Sequence, residues 1–166
     1  MPERKTIERA LKDKREGKAA STQAGEFVRE EIEHIREGKH GARSPEQAIA
    51  IGLSKARRAG VDLPPPKKGK ASEETRQSAQ RALEAGEKPA AKVSAKRSRA
   101  ITTALKREGT AAASEPALAR HAEAAARKRS AGERSAAAKK AVQTKGPGEL
   151  SEAARKAART RARHEG

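Results

Sequence analysis

The chain has 166 residues, enough for one ordinary domain. Its 34% hydrophobic content is mostly alanine, with one Phe, one Met and no Trp or Tyr, so a core spanning the whole chain would not offset an ordering cost of about 1–2 kcal/mol per residue. A net charge of +17 selects polyanionic partners, the absence of cysteine excludes disulfides and thiolate chemistry, and no run approaches the ~20 apolar residues of a membrane span.

Residues 1–20 predict a basic helix, about Thr6–Glu16, carrying Ile7 and Leu11. From there a beat of glycines runs along the chain: Gly17, Gly38, Gly60, Gly86, Gly109 and Gly132. Most follow a helix-prone stretch and precede a short linker and a serine. Glycine ends helices in the left-handed conformation, and serine starts them. The expected N-caps are Ser21, Ser44, Ser72, Ser94, Ser114 and Ser151. Two explanations stand: a degenerate repeat of short helices, or chance recurrence in low-complexity sequence.

Residues 21–63 predict a helical hairpin mini-domain. In the stretch 21–37, Phe27, Val28, Ile32 and Ile35 share one face and Glu26, Glu30, Glu33 and Glu37 another. The second helix carries full punctuation. Ser44 caps it, Pro45 suits its first turn, Gln47 completes a capping box, and Gly60 ends it with Val61 following. Ala48, Gly52, Ala56 and Ala59 form a smooth strip that admits a close helix neighbour. The six-residue linker 38–43 allows the two helices to run antiparallel. So small a core needs the first helix, a second copy of the chain or a ligand to complete it. The glutamate stripe has two readings: a solvated face, or a dock for the basic tail when no nucleic acid is bound.

The stretch "GEFVREEIEHIREGKHG" followed by "SPEQAIAIGLSKARRAGV" resembles a family of small basic bacterial proteins of unknown function. The family shares a core of the form Ser-x-x-Gln-Ala-Ile-Ala-Ile-(Ala/Gly)-Leu-Ser-x-Ala-Arg. The resemblance covers about Glu26–Val61 and implies no established activity.

Pro64–Lys70, "PPPKKGK", reads as a stiff hinge, because consecutive prolines stop a helix and favour polyproline II. Residues 71–166 form a basic Ala-rich tail. Residues 1–66 hold 14 Lys+Arg against 11 Asp+Glu, whereas residues 67–166 hold 25 against 11. Large apolar residues thin out to Leu83, Val93, Ile101, Leu105, Leu118, Val142 and Leu150. The tail has high helix propensity but little with which to pack. In composition only, it resembles the Ala/Lys-rich tails of linker histones and bacterial histone-like proteins. The expected fold is all-α: a small helical hairpin or three-helix N-terminal module, then a series of short, loosely packed or conditionally disordered helices.

The functional expectation is sequence-nonspecific binding of duplex DNA, histone-like or nucleoid-associated, by neutralisation of phosphates. The candidate cations are Lys55, Arg57, Arg58, Lys67, Lys68, Lys70, Lys96, Arg97, Arg99, Lys106, Arg107, Arg127, Lys128, Arg129, Lys139, Lys140, Arg155, Lys156, Arg159, Arg161 and Arg163. Arg155, Arg159 and Arg163 fall at i, i+4 and i+8 of one helix. The lack of aromatics disfavours base-stacking modules; structured RNA is the other nucleic acid that this composition admits, and an anionic membrane surface is a further polyanion that suits the charge. His34, His40, His121 and His164 lack metal-ligand spacing, and no phosphate-loop pattern occurs. No enzyme activity, cofactor, metal or small-molecule substrate is expected, and the expected location is the cytoplasmic nucleoid. The rival readings are a stress or desiccation protectant and a protein-interaction adaptor. Self-association through the hairpin is a further expectation.

Overall fold

The computed structural model describes residues 2–88 and 94–164, the side chains of 144, 145 and 164 excepted. Val93 and the side chain of His164 therefore lie outside the described residues. The described chain is all-helical, without strands: α1 Arg4–Arg15, α2 Ala20–Arg36, α3 Pro45–Arg58, α4 Glu73–Glu87, α5 Ala95–Lys106, a 3-10 turn Ala111–Ala113, α6 Glu115–Arg127 and α7 Ala131–His164. It divides into two compact units, residues 1–121 and 122–166.

In the first unit α2 is central, with α1 and α3 packed against it. The strip read from the sequence is what allows α3 to come close. Ala48 and Ala56 are fully buried and Gly52 faces the backbone of Val28. Two apolar clusters flank that contact. One joins Phe27 and Ala24 of α2 to Ala10, Ala56 and Val61, with Ile7, Ala20, Leu53 and Leu63 at its edge. The other joins Ile35 to Ala42, Ala48, Ala112 and Ala113. The start of α3 thus meets the end of α2, and the hairpin is antiparallel. The first helix does complete the core, but through Ala10 and Ile7; Leu11 remains 48% exposed.

The punctuation is partly as expected. The Ser44, Ser72 and Ser94 hydroxyls accept from the backbone N–H of Gln47, Thr75 and Arg97 at 3.2–3.5 Å, and Ser114 accepts from Ala117 at 3.4 Å. Gln47 reaches one residue further back than a capping box requires, accepting from the Arg43 N–H at 2.8 Å. Ser21 and Ser151 lie inside helices instead. Ser130 forms a reciprocal cap with Glu133 that the sequence reading passes over. Gly17, Gly38 and Gly60 take positive φ at helix ends; Gly86 and Gly132 lie within α4 and α7.

Packing in this unit extends past the prolines. α4 packs on α3, burying Ala79 and Ala82, and Gly86 comes so close that a Cβ there would overlap the Arg57 carbonyl oxygen. The turn Ala111–Ala113 covers α2 and α3 and is tied down by Arg36, whose Nε donates to the Ala113 carbonyl at 2.8 Å. Alanine and glycine supply little area per residue but permit short interhelical distances. An Ala-rich segment therefore packs here where large apolar residues are lacking.

In the second unit, α7 carries a non-helical Gly146 (φ 69°, ψ 167°) just before Pro147. The break falls within "KGPGE" and separates two helical stretches. Residues 131–140 and 151–163 are exposed throughout.

Candidate nucleic-acid interface

The basic residues nominated from the sequence fall into two groups. Lys55 and Arg57 are engaged by the protein itself. Lys55 Nζ lies 2.5 Å from Glu31 Oε2 and 3.7 Å from Glu30 Oε1, and both carboxylates are buried. Arg57 is 6% exposed. Its Nε donates to the Leu63 carbonyl at 2.9 Å and an Nη to the Pro64 carbonyl at 3.2 Å. Burial pulls its pKa below the ordinary arginine value, since the charged form loses solvation. Both are less available to phosphate than their sequence positions suggest: Lys55 is paired with buried carboxylates, and Arg57 is buried with its donors on backbone carbonyls. The reason lies in helical phase. Residues 55 and 57 point toward α2 and the proline segment, while Arg58 points outward and is exposed.

Arg57 has a counterpart on α4. Arg76 Nε donates to the Pro66 carbonyl at 3.2 Å. The prolines have no N–H to give, and their carbonyls are held from both sides. The segment reads as a hinge in the sequence and is a strap joining α3 to α4 in the fold.

Arg58, Lys67, Lys68, Lys70, Lys96, Arg97, Arg99, Lys106 and Arg107 of the first unit are exposed. So are Arg127, Lys128, Arg129, Lys139, Lys140, Arg155, Lys156, Arg159, Arg161 and Arg163 of the second. Arg127 pairs with Glu123 at 2.6 Å along α6. Beyond the break in α7, Arg155, Arg159 and Arg163 recur at helical spacing, about 6 Å apart along the axis, with Lys156 and Arg161 flanking them.

The glutamate stripe is neutralised by cations of α1, α2 and the linker that follows α2. Glu26 pairs with Arg9 at 2.7 Å and Arg29 at 2.8 Å, Glu33 with Arg29 at 3.8 Å and Glu37 with Lys39 at 2.9 Å. Glu30 is no surface group: it is 2% exposed and accepts from the backbone N–H of Glu3 at 3.1 Å. Of the two readings of the stripe, a solvated face describes Glu33 and Glu37.

Sequence spacing also misses a cluster at the end of α2. Glu31, His34 and His40 bring one ligand atom each within 4.8 Å of one another. His34 and His40 meet edge-on, with ring centroids 6.1 Å apart. A chain reversal between the two histidines produces this proximity, and no helical or strand period encodes it.

No helix among the described residues is long and apolar enough to cross a membrane. Residues 3–68 match the model of a family of unknown function, DUF6496. The resemblance read between Glu26 and Val61 is therefore to an uncharacterised family, and the match adds α1 and most of the proline strap to the span it covers. No curated protein and no solved structure matches the chain.

Proposed function

We propose that the protein binds duplex DNA without sequence preference, through Arg58 at the end of α3 and the exposed cations that follow it. The observation that carries this reading is the partition of charge. The acids of α2 are matched by Arg9, Arg29, Lys39 and Lys55, whereas residues 127–163 carry a large excess of exposed cations over acids. Phosphate neutralisation by such cations releases counterions, and that release drives affinity. Base readout needs side chains held on a rigid frame in a groove. The exposed α7 stripe, made of long flexible side chains beside alanines, supplies charge without such a frame. A nucleoid location follows from this reading.

Fluorescence anisotropy with mixed-sequence duplex DNA across a salt series tests it. The variant Arg155→Gln, Lys156→Gln, Arg159→Gln, Arg161→Gln, Arg163→Gln removes the α7 stripe from the full chain. The slope of log affinity against log salt should shrink by up to about 4.5, at roughly 0.9 per phosphate contact. Duplexes of different sequence should bind alike. Absence of binding at low salt, or a slope that the variant leaves unchanged, overturns the proposal.

A further inference from the structure

We propose that Glu31, His34 and His40 form a binding site for a borderline divalent transition-metal ion such as Zn2+. Nothing in this inference rests on DNA binding.

The site is assembled by the end of α2. Glu31 and His34 are one helical turn apart, so their side chains rise from the same face. Gly38 then takes φ 71°, and the Lys39 N–H donates to the His34 carbonyl at 3.0 Å. The chain folds back and returns His40 to the same face. That return is fixed from outside: the Gly41 N–H donates to the Leu105 carbonyl at 2.9 Å and the Ala42 N–H to the Gly109 carbonyl at 3.1 Å. Gly41 is packed so tightly that a Cβ would overlap the Glu108 carbonyl oxygen. His40 is thus held by tertiary contacts on a segment that cannot drift.

His40 Nε2 and Glu31 Oε1 stand at about the separation that two ligands of one tetrahedral ion take. His40 Nδ1 lies 3.1 Å from the Gly41 carbonyl oxygen. A carbonyl only accepts, so Nδ1 carries the hydrogen and Nε2 presents its lone pair when the ring is neutral. That Nε2 faces Glu31 Oε1 at 3.1 Å. A proton on Nε2 would make this contact an ion pair, and with a neutral ring the same gap is open to a metal ion. His34 repeats the pattern of an oriented ring: its Nε2 is 2.9 Å from Glu3 Oε1, so this nitrogen donates to a carboxylate and leaves the other for a ligand bond. A histidine whose second nitrogen donates to a carboxylate or a carbonyl is the usual arrangement around bound zinc.

The donors select the metal. Two imidazoles and a carboxylate suit Zn2+ and its neighbours, whereas Mg2+ and Ca2+ require oxygen ligands. Glu31 is 1% exposed and the two histidines 14–15%, so the three donors are shielded from water on the inner side. Lys55 occupies Glu31 Oε2 and leaves Oε1 for the ion. Bringing donor atoms from within 4.8 Å to the roughly 3.3 Å separations of a tetrahedral ion with ~2 Å bonds takes small side-chain rotations.

Isothermal titration of the full chain with Zn2+ in metal-free buffer tests the site. One ion should bind, and His34→Gln or His40→Gln should each weaken binding at least about tenfold. His34→Gln with His40→Gln should abolish it, while His121→Gln leaves it unchanged. Should the double variant fail to fold by circular dichroism, the wild-type chain still decides: Zn2+ should shift the imidazole nitrogen resonances of His34 and His40 and spare those of His121. No binding, or a stoichiometric ion retained by a folded double variant, or resonances of His34 and His40 that do not move, overturns the proposal.

Discussion

A methyl group added at Gly25 meets nothing within 4 Å, whereas one added at Gly52 lies 2.6 Å from the Cα of Val28. Both glycines sit inside helices, where alanine is intrinsically better by about 0.5–1 kcal/mol. Gly25→Ala should therefore stabilise the fold by about that amount. Gly52→Ala should destabilise it by about 1–3 kcal/mol, because the neighbour is backbone and the two helices must part. Urea unfolding followed by circular dichroism separates the two outcomes. Arg57 offers a second contrast at this scale. Arg57→Ala leaves the Leu63 and Pro64 carbonyls without their donor and should cost about 1–3 kcal/mol of stability. Under the DNA-binding proposal it should leave DNA affinity unchanged, since the guanidinium is buried, whereas Arg58→Ala should weaken binding with little effect on folding. Equal effects of the two substitutions on affinity would contradict that assignment.

At the scale of elements, α3 shows how sequence punctuation becomes a tertiary link. The Ser44 hydroxyl caps the helix, and Ser44→Ala should cost about 1 kcal/mol, read as a lower thermal midpoint. Two residues on, Glu46 joins α3 to α6 through His121 Nδ1 at 2.7 Å. Its own backbone N–H, then the Ser44 hydroxyl and His121, hold its pKa near about 2, against an ordinary 4.5. A carboxylate with a depressed pKa stabilises the fold above its ordinary value and loses that contribution as pH falls through the folded one. Glu46→Gln should therefore lower stability near neutral pH, and the difference from wild type should vanish as pH approaches about 2. Glu46 is 65% exposed, so the effect stays below about 1 kcal/mol. Thermal unfolding across that pH range is the measurement.

For the molecule as a whole, the first unit carries its core from Thr6 to Ala113. The family match ends at residue 68, but the packing does not. Ala112 and Ala113 close the cluster around Ile35, and Ala79 and Ala82 are buried on α4. A fragment of residues 1–121 should unfold with one cooperative transition at nearly the wild-type temperature. A fragment of residues 1–66 should be destabilised by about 1–3 kcal/mol, the order expected for uncovering one large apolar side chain such as Ile35. Calorimetry of the two fragments tests this, and equal midpoints would show that α4 and the 111–113 turn contribute nothing to the core.

The helical class, the antiparallel hairpin and its close contact were legible in the residues. Alanine and glycine at the spacing of Ala48, Gly52 and Ala56 mark a face that a neighbouring helix can approach, and Ser44, Pro45 and Gly60 mark where that helix starts and stops. These features are local or periodic, and a linear chain carries them openly. What the tertiary structure alone decided is which charges remain at the surface and which groups meet across a turn. Arg57 and Arg58 are adjacent and chemically identical, yet one clamps a proline strap inside the fold and the other stands in solvent. His34 and His40 have no periodic relation, yet the reversal at Gly38 and the anchoring of Gly41 under Glu108 set their rings edge to edge above Glu31. Charge and helix propensity belong to residues one at a time, whereas burial and donor geometry exist only between residues that the fold has brought together.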